Sequence, residues 1–160
     1  MDKTVIFDLD GTLALIDKRR ELSLVYDKEG DMLYHPKRDW NIFFDPDNIQ
    51  LDEPNVPVIT MAQLLHSQGY KIVILSGRSA RTQDATIDWL KQYNVPYDDL
   101  YMRPTDKKSH FMPDNMLKQN WLFTTLKDDD IFAVFDDRQQ VVDMWRDNGL
   151  TVFQVADGDF

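Results

Sequence analysis

The sequence predicts an α/β fold: a doubly wound, five-stranded parallel sheet with a small insertion after its first strand. Three observations predict it. Five short runs rich in Val, Ile and Phe recur along the chain. Their apolar character is continuous rather than alternating, as expected of strands buried on both faces. Stretches with helical apolar spacing separate most of the runs, through short connections, which is the pattern of a parallel sheet covered by helices on both sides.

The first strand is expected at residues 4–7, followed directly by Asp8-Leu9-Asp10-Gly11-Thr12. Residues 13–55 break the alternation. They are charged and aromatic, carry a turn signal at 27–31 around Gly30, and leave through Pro46, Pro54 and Pro57. We read them as a small cap inserted into one domain spanning residues 1–160. Val58, Met61, Ala62, Leu64 and Leu65 then share a helical face closed by Gly69, before the second strand at 71–75. Thr86, Ile87, Trp89 and Leu90 belong to the next helix, which ends before Asn94 and Pro96. A weaker third strand is expected at 100–102. Met116, Leu117, Asn120, Trp121 and Leu122 form another helix, and the fourth strand follows at 131–135. Val141, Val142, Met144 and Trp145 mark the last helix, with Gly149 placed as its stop and the fifth strand at 151–155.

Composition narrows the class. Leu, Ile, Val and Phe supply 45 of 160 residues, enough for a real core. The longest aliphatic run, 72–75, is far short of a membrane span, and the apolar run after Met1 is too short for a signal peptide. The absence of cysteine excludes disulfides, thiolate catalysis and sulfur-ligated zinc. The reading is a cytoplasmic protein with no membrane partner. Its 18 basic and 28 acidic residues give a formal charge of −10. That argues against coating nucleic acid broadly, while leaving room for a local basic pocket that takes one phosphorylated end. The three histidines, His35, His66 and His110, are isolated and read as incidental.

In open α/β sheets, ligands bind outside the carboxyl ends of the strands. The polar residues expected there are Asp8 and Asp10, then Ser76-Gly77-Arg78, then Arg103, then Asp136-Asp137-Arg138. Asp8 and Asp10 alternate with Leu9, which predicts both carboxylates on one side of the strand end. Adding Asp136 and Asp137 gathers up to four carboxylates. Their mutual repulsion calls for a hard, oxygen-liganded cation, Mg²⁺ first. The Gly11 turn would bring backbone N–H groups round to an anion. A calcium loop of the EF-hand kind needs its glycine at position six, whereas Gly11 is fourth, so that reading fails.

The Asp8-Leu9-Asp10-Gly11-Thr12 motif, Ser76 after the second strand, Lys118 and Asp136-Asp137 together resemble the haloacid-dehalogenase (HAD) superfamily, whose fold is a Rossmann-like sheet. The resemblance implies that Asp8 is the nucleophile forming an aspartyl-phosphate and that Asp10 is general acid, then base. Ser76 and Lys118 would hold the phosphoryl oxygens, and Asp8, Asp10, Asp136 and Asp137 would bind Mg²⁺. Aspartate rather than threonine at the second position is similar to the hydrolases of the superfamily, not its transport ATPases. Residues 134–142, Met144-Trp145-Arg146, Gly149-Leu150 and the tail 154–160 further resemble the 3′-phosphatase domain of phage polynucleotide kinase–phosphatases. Arg19, Asp114 and Lys118 agree with it, and residues 21–53 do not align.

That likeness implies that Arg19, Arg78 and Arg103, with Thr12 and Gly77, hold the phosphorylated end. It implies that Asp114 buttresses Lys118 or Arg78, and that Asp137 more than Asp136 ligates the metal. None of the six glycines has a kinase phosphate-loop context, so a phosphatase without a kinase half is expected. Lys107 and Lys108 rival Lys118 for the phosphate, and Lys18-Arg19-Arg20 reads equally as a solvated face. Trp40, Phe43 and Phe44 either stack on a terminal base or pack the cap. The expected function is Mg²⁺-dependent removal of a 3′-phosphate from a nucleic-acid or nucleotide end. Two rivals stand beside it: a HAD phosphatase of free nucleotides or small phosphate esters, and a module that binds phosphorylated ends without catalysis. DNA against RNA, and a homodimeric assembly, are left open.

Overall fold

The apolar runs pair into one parallel sheet because each can be covered on both faces. The computed structural model describes residues 2–25 and 37–158. Its strands are β1 (Lys3–Phe7), β2 (Lys71–Ser79), β3 (Asp99–Arg103), β4 (Asp130–Asp136) and β5 (Val152–Gln154), in the order β3-β2-β1-β4-β5. Val5 lies between Ile72 and Ala133, and Phe7 between Ile74 and Phe135. The helices are α1 (Asp17–Leu22), α2 (Trp40–Phe43), α3 (Val56–Ser67), α4 (Gln83–Gln92), α5 (Lys107–His110), α6 (Asp114–Phe123) and α7 (Gln139–Asp147).

Successive strand residues serve opposite layers, as the pleat requires. Val5, Phe7, Ile72, Ile74 and Phe135 pack with Val58, Ile59 and Ala62 of α3 and with Trp89 and Leu90 of α4. Ile6, Val73, Leu75 and Val134 pack on the other side with Leu117 and Trp121 of α6 and with Val141, Met144 and Trp145 of α7. The sheet is therefore doubly wound. Phe7, Phe135 and Phe153 stack in register across three strands, with ring centroids 4.6 and 4.9 Å apart. After α7, Gly149 takes φ +79°, a left-handed conformation that a side chain would resist.

Strand β2 is longer than its apolar run. It continues through Ser76–Ser79 with a register shift against β3, where Ser76 pairs with Met102 but Ser79 pairs with Arg103. The irregularity re-aims the side chains at this strand end, as bulges do. Arg78 is thereby turned inward and is fully buried.

The segment between β1 and α3 is pinned at its base. Ala14–Leu15 pairs antiparallel with Glu53–Pro54, and the Asn55 side chain donates to the Thr12 carbonyl at 2.8 Å. A second ribbon joins Leu24–Val25 to Lys37–Arg38. Phe43 and Ile49 enter the same apolar cluster as α3. Trp40, Phe43 and Phe44 pack against one another with centroids 4.9–5.8 Å apart; Phe43 is buried, whereas Trp40 is exposed. The turn expected at 27–31, and His35, lie outside the described residues. Among the described residues no helix is long and apolar enough to cross a membrane.

Candidate active site

The centre is built on the loop after β1. Asp8 N–H donates to the Phe135 carbonyl at 2.9 Å, which continues the β1–β4 pairing one residue past the strand. The chain then turns tightly, with Thr12 and Ala14 N–H both donating to the Leu9 carbonyl and Gly11 at φ +83°. Asp8 is thus held at the strand end with both oxygens engaged: Oδ1 accepts from Lys118 Nζ at 2.6 Å, and Oδ2 from Thr12 Oγ1 at 3.2 Å.

Helix α6 supplies Lys118, whose ammonium also donates to Asp136 Oδ2 at 3.0 Å. The same Asp136 oxygen accepts from Trp145 Nε1 at 3.1 Å, and Oδ1 accepts from the Asp137 N–H at 2.9 Å. Asp137 accepts the Thr12 hydroxyl at 3.3 Å. Carboxylate oxygens of Asp8, Asp136 and Asp137 lie within 4.8 Å of one another, all three residues buried. Burial raises the Asp8 carboxyl well above its usual range, Asp136 adds to the rise, and Lys118 opposes it. Asp137 is raised by burial and by Asp136. Burial disfavours the Lys118 charge, but Asp136 and Asp8 outweigh it and hold the ammonium above its ordinary range. Three crowded carboxylates, with Asp8 and Asp137 raised, fit a hard divalent cation, which would relieve the repulsion that Lys118 only partly offsets.

Asp10 stands apart from this group. Of the up to four carboxylates expected together here, Asp8, Asp136 and Asp137 gather, while two arginines hold Asp10. Asp10 Oδ1 accepts from Arg19 Nη2 at 2.7 Å and from Arg78 Nε at 2.8 Å. Burial opposes the Asp10 charge, yet Arg19 and Arg78 overcome it and hold the carboxyl at about 2. Behind it, Asp52 bridges both arginines: Oδ2 accepts from Arg78 Nη2 at 2.7 Å and Arg19 Nη2 at 2.9 Å, and Oδ1 from Arg19 Nε at 3.0 Å. Burial pushes Asp52 up to about 6 against the pull of Arg78 and Arg19. The Arg19 guanidinium also lies over the Phe43 ring, 4.4 Å from its centroid.

Arg19 and Arg78, expected to hold the phosphorylated end, have fully buried side chains and here hold Asp10. Arg103 is engaged by backbone: Nε donates to Gly77 O at 2.9 Å, and Nη1 to Ser109 O at 2.7 Å and Met112 O at 2.5 Å. Its Nη2 pairs with Asp114. Asp114 binds Arg103 and, at 2.6 Å, Arg138 Nη1; it is not hydrogen-bonded to Lys118 or Arg78, but after Asp136 and Asp8 its charge also helps to hold the Lys118 ammonium up. Ser76 Oγ accepts the Arg78 N–H at 3.1 Å and is buried. Gly77 is needed for room, since a Cβ there would lie 2.5 Å from Asp114 Oδ1.

Sequence reasoning missed Asp52 and Trp145 as parts of this network, whereas Arg138 was expected at this strand end. Asp52 carried no signal beyond the need of two buried arginines for a counter-charge.

The family model described as the polynucleotide kinase PNKP phosphatase domain matches residues 22–160. The chain belongs to this PNKP phosphatase-domain family. It is 32% identical, over 96% of its length, to a protein of Autographa californica nuclear polyhedrosis virus that bears the name bifunctional polynucleotide kinase/RNA ligase. Among solved structures, a chain of a Pnkp1/Rnl/Hen1 complex is 33% identical with a TM-score of 0.79 over 100% of this chain. A second, described as an RNA repair complex, is 33% identical with a TM-score of 0.78 over 99%. The PNKP-type chain spans 19% of the viral relative and 48% and 44% of those two solved chains. A haloacid dehalogenase-like hydrolase, SP0104 from Streptococcus pneumoniae, shares the fold at 16% identity and a TM-score of 0.62, over 96% of this chain and 84% of its own. The PNKP phosphatase domain described here is thus a HAD-type phosphatase with the doubly wound sheet.

Proposed function

We propose that this domain is a Mg²⁺-dependent polynucleotide 3′-phosphatase acting through a phosphoryl group carried on Asp8. The observation that carries the reading is the division of labour among carboxylates: Asp8 is clamped by Lys118 and Thr12, while Asp10 is held separately by Arg19 and Arg78. Asp136 is occupied by Lys118, Trp145 and the Asp137 N–H, which leaves Asp137, with Asp8, as the better ligand for the ion. Bound there, Mg²⁺ would supply charge neutralisation for the incoming phosphate.

An oxygen of Asp8 attacks phosphorus as the bond from phosphorus to the 3′-oxygen breaks. The departing 3′-oxygen takes a proton from Asp10 Oδ2, leaving a 3′-hydroxyl. Both arginines bind Oδ1, so Oδ2 is the oxygen available for proton transfer. At about 2 the Asp10 carboxyl is ionised in the free protein; the arriving phosphate dianion favours its protonated form. Asp10 then takes a proton from water, the water oxygen attacks phosphorus, and the bond to Asp8 breaks to release inorganic phosphate. Lys118 neutralises the phosphoryl oxygens through both steps.

The HAD fold, the PNKP family and relatives whose names refer to polynucleotide kinase and RNA repair support this reading. Incubation with 3′-phosphorylated and 5′-phosphorylated oligonucleotides, with Mg²⁺ or EDTA, tests it. Metal-dependent phosphate release from the 3′ end alone is expected. Equal release from the 5′ end, or release undiminished by EDTA, would overturn it.

A further inference from the structure

Residues 104–112, between β3 and α6, play no part in the chemistry above, yet they are tied to the active site. Arg103, the last residue of β3, binds two carbonyls of this loop, Ser109 O and Met112 O, while its Nε binds the carbonyl of Gly77, next to Ser76. Its remaining contact, Asp114, also holds Arg138 beside Asp137. One guanidinium therefore fixes the loop to the phosphate end of the sheet.

The surface it presents is basic, on an acidic chain. The protein carries a formal charge of −10, but this loop has Lys107, Lys108 and His110 exposed, against Asp106 as its one acidic residue. Asp106 is committed to capping α5, where it accepts the Ser109 N–H at 3.0 Å. Beside the lysines, Phe111 is 74% exposed, held edge-on to His110 at 4.7 Å. Cations that track a phosphate backbone beside an aromatic face that stacks on a base are what a single strand requires. Arg138, next in the chain to Asp137 and with its side chain 31% exposed, shares Asp114 with Arg103, whereas Arg19 and Arg78 are fully buried.

We infer that the 104–112 loop is a strand-binding subsite for single-stranded polynucleotide leading into the site. Lys107 and Lys108 meet backbone phosphates, Phe111 stacks on a base, and Arg103 positions the loop without touching the strand. The inference rests on the polynucleotide reading of the proposed function.

The test uses the full chain with Lys107→Ala and Lys108→Ala combined, and separately Phe111→Ala. Binding of a fluorescently labelled 3′-phosphorylated oligonucleotide is followed by anisotropy across a salt series, and phosphate release is measured in parallel. Each variant is expected to bind about tenfold or more weakly, as base stacking and phosphate contacts of this kind give. The double lysine variant should also lose roughly 1.4 from the slope of log affinity against log salt, at about 0.7 per phosphate contact on a single strand. Phe111→Ala should leave that slope unchanged. Affinities within twofold of the unaltered protein would overturn the subsite. Failure of the proposed function looks different: the unaltered protein would bind the strand yet release no phosphate.

Discussion

Asp52 Oδ2 lies 2.7 Å from Arg78 Nη2, and neither side chain is exposed to solvent. The pair sits directly behind Asp10, so the two arginines that hold Asp10 are themselves held by a residue from the inserted segment. With Arg19 it forms a closed group of two carboxylates and two guanidiniums. Removing one member of a buried ion group typically costs about 3–5 kcal/mol, because the others lose their compensation. Asp52→Ala is expected to lower unfolding stability by about that amount, measured by urea denaturation. A loss below about 1 kcal/mol, the scale of an exposed pair, would contradict the buried network.

The same group predicts an unusual pH profile in EDTA. Asp52 has a folded-state pKa of about 6, above the ordinary 3.8, so its protonation favours the fold. That contribution is fully present below 3.8 and is lost as pH rises through 6. Asp10, held at about 2, works in the opposite sense: its stabilisation is present above 3.8 and is lost as pH falls through 2. The thermal midpoint should therefore rise as pH falls from 7 to 4 and drop below that. Asp8 and Asp137, also raised by burial, act in the same sense, so Asp52→Asn should make the limb between 4 and 7 shallower without abolishing it, and an unaltered limb in that variant would refute the assignment.

Metal binding should separate the two adjacent aspartates. Asp136 has its oxygens committed to Lys118, Trp145 and a backbone N–H, whereas the Asp137 side chain accepts the Thr12 hydroxyl at Oδ1. Mg²⁺ at a hundred times its Kd should stabilise the protein by about 2.7 kcal/mol. Asp137→Asn should abolish most of this shift, and Asp136→Asn should diminish it less. The reverse order, read by thermal denaturation with and without Mg²⁺, would exchange their roles.

Lys118→Met should reduce kcat by about 10²–10³, the usual penalty for losing one donor to developing charge. It also removes the hydrogen bond that fixes Asp8 Oδ1. Steady-state phosphate release from a 3′-phosphorylated oligonucleotide measures it, and a loss below threefold would remove Lys118 from the reaction.

Gly77→Ala places a methyl group against the Asp114 carboxylate, which Arg103 and Arg138 hold in place. Overpacking of this kind costs about 1–3 kcal/mol. The expected result is a lower thermal midpoint together with weaker oligonucleotide binding, because the Arg103 and Arg138 contacts shift with Asp114. Unchanged stability would show that Asp114 moves aside freely.

Much of this was readable from residue order. Continuous apolar runs gave all five strands of the sheet, and the polar residues directly after them include Asp8, Ser76, Asp136 and Asp137. Lys118 was placed through its resemblance to a family motif. The extension of β2 through Ser79 was not readable, since Ser-Gly-Arg-Ser after an apolar run looks like a loop until Arg103 pairs with it. The ribbons of the inserted segment are two residues long, too short for any periodicity. Lys18-Arg19-Arg20 reads as a solvated run, yet Arg19 is fully buried because α1 turns that one position toward Phe43 and Asp52. Asp52 itself sits in a Pro-flanked exit where nothing local marks it as buried. Its partners come from 26 and 33 residues away, a relationship that only the folded chain creates.

The central claim is that phosphate passes through Asp8. The most direct test is an acid-quenched single turnover with an oligonucleotide carrying a radiolabelled 3′-phosphate, in Mg²⁺. Transient, hydroxylamine-labile label is expected on the peptide containing Asp8, and none with Asp8→Asn. Turnover without protein-bound label, together with an active Asp8→Asn variant, would contradict the claim.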